Sequence, residues 1–191
     1  MRLPALAATL LAAFFVSGCA SAVSPLYSKA DAVTDPALVG MWVDGDKDDQ
    51  DTVHIEKTKG ASYQVTVHDA KSGDDTLYEM HLVKLGRASF ADLLLTNYRH
   101  AGHKINLPAG AVALHEIVKY RVVGDALDCS GIDGDALDKS AKQPGFSLQL
   151  RDTKESDGDT VILSTTDALR RYFSAHPADI FGEADHFKRQ R

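Results

Sequence analysis

A mainly β fold, a barrel or barrel-like sandwich of about eight antiparallel strands with a C-terminal α-helix, is what this sequence predicts. Three observations carry the prediction. Apolar residues recur at every second position through the middle of the chain, the period of a half-buried strand. Turn-forming residues punctuate those runs at close spacing: Lys59-Gly60, Ser72-Gly73-Asp74, Leu85-Gly86, Gly124-Asp125 and Asp157-Gly158. One well-marked helical pattern follows near the carboxyl end.

The elements come in order. Met1 and Arg2 supply positive charge, and Leu3 to Val16 is almost wholly apolar. Small residues and Cys19 follow, the arrangement of a secretory signal, with residues 1–18 removed from the mature chain. Residues 20–34, "ASAVSPLYSKADAVT", are small and polar and read, with Cys19, as a linker to a single β-rich domain spanning 35–191. Asp35-Pro36 predicts a helical turn, with an N-cap carboxylate and proline at the first helical position. Val53 and Ile55 then alternate with Thr52, His54 and Glu56; Tyr63, Val65 and Val67 with Gln64, Thr66 and His68; Tyr78, Met80 and Leu82 with Glu79 and His81. Further strands are expected at 88–95, 113–123, 125–129, 146–151 and 159–164. A short helix is expected at 133–143, stopped by Pro144-Gly145. A second runs from Ser164 to His176, with Ser164 and Asp167 in capping-box spacing, Leu169, Tyr172 and Phe173 on one face, and Pro177 as terminator.

Val16-Ser17-Gly18-Cys19 resembles the bacterial lipobox, in which an aliphatic residue and two small ones precede a cysteine that is lipidated and becomes the new amino terminus. The resemblance implies a lipoprotein carrying palmitate or related acyl chains on Cys19. One acyl chain holds a protein only reversibly, whereas two or more anchor it stably. Ala20 replaces the aspartate that retains such proteins in the inner membrane, so the resemblance implies an outer-membrane anchor with the domain in the periplasm. Two alternatives stay open: Ala20-Ser21-Ala22 is itself an A-x-A cleavage site, and the apolar run could persist as a membrane helix.

"DPALVGMWV", residues 35–43, carries a second resemblance. Gly40-x-Trp42 just after a helical turn is similar to the G-x-W signature of lipocalin-like barrels. It implies a glycine that lets the chain turn into the first strand and a tryptophan that closes one barrel end. The layout also resembles small envelope lipoproteins of unassigned activity. A tryptophan in the core of an ordinary β-domain is the plain alternative.

Composition narrows the functional classes. The net charge is −6, and losing Arg2 makes it more negative, so nothing marks a phosphate-rich partner and no nucleic-acid binding is expected. With Cys19 acylated, Cys129 stands alone, excluding an internal disulfide. Cys129 is expected as an inert thiol beside Leu127.

Candidate chemistry is sparse. Residues 44–51, "DGDKDDQD", hold five aspartates. Asp44, Asp46 and Asp48 fit the first ligand positions of a calcium loop, but Asp49 and Ile55 stand where glycine and glutamate belong, so a solvated connection is the simpler reading. His100-x-x-His103 sits in the long connection 96–112 and lacks a fixed third metal ligand, although His54, His81 and His115 are candidates. Asp92 shares a strand face with Phe90 and Leu94, and Glu116 with Leu114, Val118, Tyr120 and Val122. Buried carboxyls need partners. The two could form an acid/base pair, orient a ligand, or pair with a cation such as Lys84, and structural pairing is preferred. No nucleophile elbow, phosphate loop or dinucleotide fingerprint occurs. A non-catalytic lipoprotein with no cofactor and no resident metal is therefore expected. A lipocalin-like interior lined by Trp42, Tyr63, Tyr78, Met80, Phe90 and Tyr120 would take a small apolar ligand. A protein-interaction or envelope-assembly module is the alternative, and a hydrolase ranks third.

Overall fold

The protein is described by a computed structural model covering residues 20–45, 51–100, 102–105, 113–152, 160–176 and 179–191. Chain order is β1 (Ala20–Ala22), a 3₁₀ turn (Pro36–Leu38), β2 (Gly40–Asp44), β3 (Thr52–Lys57), β4 (Ser62–Asp69), β5 (Asp74–Leu85), β6 (Ala88–His100) and β7 (His103–Ile105). Then come β8 (His115–Val123), β9 (Ala126–Gly131), α1 (Gly134–Ala141), β10 (Leu150–Asp152), β11 (Thr160–Ile162), α2 (Thr166–Ala175) and β12 (Asp185–Arg189).

Eight strands close into an antiparallel barrel in the order β2-β3-β4-β5-β6-β8-β9-β12, with β12 returning to β2. Closure leaves none of the eight as a bare sheet edge along its paired length. The mainly β barrel and the C-terminal helix are therefore as expected, but the eighth barrel strand is not one of those predicted. The segments expected at 146–151 and 159–164 contribute only β10 and β11, which pair with each other outside the barrel. Strand β11 pairs in parallel with β1, and β1 meets β8 at Ala22 and His115. The barrel is completed instead by Asp185–Arg189, where one buried phenylalanine, Phe187, among charged residues carries too little alternation to mark a strand.

The wall has two apolar faces. Inward residues, among them Trp42, Tyr63, Val65, Met80, Leu82, Leu93 and Leu127, form the barrel core. Outward residues of β5, β6 and β8, namely Val83, Phe90 and Ile117, join Leu137 of α1, Leu169 and Phe173 of α2, Ile162 and Leu26 in a second core outside the barrel. The two cores explain why Ala91 and Phe90, adjacent in sequence, are both buried: β6 is covered on both sides.

Helix α2 is capped by Thr165, whose side chain accepts from Ala168 N, one residue after the expected cap. Ser164 instead takes the Gln149 N–H at 2.7 Å, tying α2 to the β10 approach. The segment 20–34, expected as a linker, is packed. Leu26 is fully buried; its N–H donates to Asp92 Oδ2 at 2.5 Å, and its carbonyl accepts from Arg170. Thr166 Oγ1 donates to Pro25 O at 2.7 Å, and Arg170 also pairs with Asp31 at 2.7 Å. This strap crosses the outer core and leads into the turn at Asp35.

Candidate functional site

One end of the barrel is built to be shut. Asp35 Oδ1 accepts from Ala37 N at 3.0 Å, the expected cap, and Pro36 starts the turn. Trp42 is fully buried and donates from Nε1 to Leu38 O at 2.8 Å. The Arg189 guanidinium lies 4.1 Å from the Trp42 ring centre, a cation–π distance, and donates to Val39 O and Ala37 O. Gly40 explains itself here. Its φ is +138°, and a Cβ would come within 2.6 Å of Arg189 Nη1. Arg189 escaped the sequence reading because its partners lie about 150 residues away along the chain. Above this plug Tyr63 Oη accepts from Asp35 N at 2.8 Å, and burial drives the Tyr120 hydroxyl well above its usual range.

Of the expected lining, Trp42, Tyr63, Tyr78, Met80 and Tyr120 do face the interior. Phe90 does not: its side chain stacks among Phe173 and Phe181 in the outer core. It occupies the opposite face of β6 from Ala91 and Leu93, as the pleat requires. The large inward rings nearly fill the barrel. A cavity of about 50 Å³ remains, lined by apolar groups including Val65, Met80, Leu93, Tyr120 and Leu127. Small-molecule pockets usually run from roughly 300 to 1,000 Å³.

Glu116 and Asp92 do not form a pair. Register places Leu93 opposite Glu116 and Ile117 opposite Asp92, so Glu116 shares the inward face with Val118 while Asp92 faces the outer core. Asp92 meets His115 Nδ1 at 2.6 Å and the Leu26 N–H, so its partners are an imidazole and a backbone amide rather than Lys84. Glu116 makes no hydrogen bond or ion pair with any described residue, and burial lifts its pKa from 4.5 to about 7. Because the fold holds this proton more tightly than the unfolded chain, stability falls as pH rises from about 4.5 and levels off beyond about 7. The loss amounts to as much as about 3 kcal/mol. Replacing Glu116 by Gln should flatten urea midpoints measured across this window; an unchanged slope would contradict the assignment.

The histidines do not converge. His100 Nδ1 meets Asp74 Oδ1 at 2.8 Å, His103 is exposed, His54 lies near Glu56, and His81 stacks on Tyr27 with ring centres 3.8 Å apart. Part of the connection 96–112 is strand: β6 runs on to His100 and hairpins into β7. Among the described residues no group of three or more His, Cys, Asp or Glu could hold a metal. Asp46, Asp48 and Asp49 lie outside the described residues; Asp51 Oδ1 accepts from Ala70 N at 2.9 Å. Cys129 is half-buried and packs against the inner core that holds Leu127, and desolvation, with nearby Asp185 and Asp128, raises its pKa to about 12. Iodoacetamide should therefore leave Cys129 unmodified in the folded protein and alkylate it in denaturant; rapid native alkylation would contradict the raised pKa.

A concavity also opens to solvent beside the plugged end, reached by Asp35 and Tyr120. Where β8 continues below the first residues of β6, a groove of about 560 Å³ is lined by Arg87, Ser89, Lys119, Arg121, Asp128 and Ser130, among others. Arg121 pairs with Asp128 at 2.7 Å, and Lys119 Nζ lies 5.5 Å from the Phe181 ring centre. Nothing in the sequence pattern marks this groove, because it arises where two paired strands end at different levels.

Geometry therefore defines a closed eight-stranded antiparallel barrel, plugged at one end by Trp42 and Arg189, with a polar groove on its wall. Comparison with protein-family models, curated proteins and solved structures finds no match to the chain. No described helix is long and apolar enough to cross a membrane.

Proposed function

We propose that the chain is a lipoprotein of the cell envelope, anchored through acyl chains on Cys19 and seated on the periplasmic side of the outer membrane. Its role is non-catalytic: a protein-interaction module in envelope assembly. The observation that carries the anchor is the position of β1. Ala20 and Ala22 are 5% and 0% exposed, and β1 is the strand that connects the β10–β11 pair to the barrel. Cleavage before Cys19 keeps this strand; cleavage after Ala22 at the A-x-A site would remove it. The filled interior favours recognition on the outer surface, and the groove between β6 and β8, about 560 Å³ and flanked by Arg87, Lys119 and Arg121, offers a charged concavity there.

Mass spectrometry of the mature amino-terminal peptide tests the anchor. A Cys19 carrying a diacylglyceryl group and an amide-linked acyl chain is expected, and Cys19→Ala should abolish membrane retention. A mature chain starting at Val23 would sink the proposal. Partner capture from envelope extracts should weaken when Arg87 and Lys119 are both changed to Glu.

A second reading, a small apolar ligand inside a lipocalin-like barrel, draws on the wholly apolar lining of the inner cavity. It requires the inward rings to move, since the cavity as it stands holds no more than a very small molecule. A native mass spectrum retaining a lipid-sized adduct on protein prepared without organic solvent would favour it.

A further inference from the structure

We infer that the outward face of the β10–β11–β1 sheet rests directly on the membrane that holds the lipid anchor. The inference rests on the lipid-anchored reading and adds to it an orientation. A free linker over residues 20–34 would let the domain stand off by as much as about 50 Å at 3.3–3.6 Å per extended residue. Packing of the strap removes that slack. Ala20 is already paired with Thr160, and a single peptide link of about 3.8 Å between Cα atoms separates it from Cys19. Four independent ties hold the segment down: Val23 N to Ile162 O at 3.0 Å, Leu26 N to Asp92, Thr166 to Pro25 O, and Arg170 to Leu26 O.

One face of the sheet lies in the outer core; on the other, Ser21 and Val161 are half-buried and the residues that flank them are exposed. Ala20, Ala22 and Ile162 are buried in the outer core with Leu26 and Leu169. The alternate residues point the other way, as strand periodicity requires. Ser21 sits opposite Val161, and Val161 opposite Arg151, which makes one row across the three strands. The next positions along that face are Val23 and Leu163, 41% and 45% exposed. Two exposed apolar side chains thus lie within a few residues of the acylated position, beside an exposed arginine. Apolar contacts at the headgroup boundary and a cation toward lipid phosphate are what a bilayer surface accepts. Anchoring at one edge of this face, with no slack, brings it to the lipid at high effective concentration.

The test uses full-length acylated protein in vesicles of phosphatidylethanolamine and phosphatidylglycerol. A single reporter thiol is introduced by Leu163→Cys and labelled with an environment-sensitive NBD dye; Cys19 is blocked by its lipid, and the half-buried Cys129 is changed to Ser in every variant. Val123→Cys, on the β8–β9 hairpin and 62% exposed, is the control. Expected is a blue-shifted emission and a several-fold fall in iodide quenching at 163, with neither at 123. A long Gly/Ser spacer between Cys19 and Ala20 should restore quenching at 163. Val161→Cys provides a second site on the same face if Leu163→Cys folds poorly. An acylated chain whose label at 163 is quenched as readily as that at 123 overturns the orientation alone. A chain without acylated Cys19 overturns the anchored reading, and the orientation with it.

Discussion

Trp42→Ala is expected to lower stability by about 3–5 kcal/mol, the range for deleting a large buried aromatic side chain. Three contributions fall together. The ring is wholly buried at the plugged end, so its removal leaves a cavity between Leu38 and the inward residues of β2 and β3. Leu38 O loses the indole donor, and Arg189 loses the ring over which its guanidinium lies. Arg189 still donates to Ala37 O and Val39 O, so the turn should persist and the loss should be of packing rather than of the whole barrel. Trp42→Phe, which keeps most of the volume, should cost less than half as much. Because Trp42 is the single tryptophan, unfolding must be followed by circular dichroism. A loss below about 0.5 kcal/mol, the level of an ordinary surface change, would mean that Trp42 is not the plug. Arg189→Lys should fall between the two variants, since an ammonium cannot bridge two carbonyls and stack at once.

Asp92→Ala should be comparably severe. The carboxylate is 1% exposed and serves two partners, the Leu26 amide and the His115 ring. Removing it leaves a buried N–H without an acceptor and a buried imidazole without its orienting group; breaking such a pair costs about 3–5 kcal/mol. The effect should also be local. Once Asp92 is lost, the strap retains Arg170 and Thr166 but not its central tie, so Lys29, exposed on the strap, should become a trypsin site well below the global unfolding transition. Wild-type protein should resist cleavage there until it unfolds. Global destabilisation without early cutting at Lys29 would show that the strap is held by its other contacts. Asp92→Asn, which keeps the shape and one acceptor, should weaken both effects.

Much of the wall was legible in the residues. Val53 and Ile55, then Tyr63, Val65 and Val67, alternate with polar neighbours because β3 and β4 have one face in the barrel core and one toward solvent. The cap at Asp35 was legible because it depends on residues two positions apart. Strand β12 was not, since its place in the barrel is decided by β2 and β9 on either side of it. Phe90, expected inside the barrel, faces the outer core: β6 is apolar on both sides, and a strand buried twice has no alternation to read. Glu116 and Asp92 were each correctly grouped with their strand neighbours, yet register alone shows that they point away from each other.

What the sequence determined by itself is local: the two-residue period, the turns at Gly60, Gly73, Gly86 and Gly124, the 3₁₀ cap and the helix from Thr166 to Ala175. These depend on backbone conformation and on neighbours within a few residues, where sterics and short-range hydrogen bonds decide. Tertiary structure decided the rest: closure by β12, Arg189 over Trp42, the isolation of Glu116 and the burial of residues 20–26. Each joins groups far apart in the chain, and only the register and twist of the closed sheet set which of them meet.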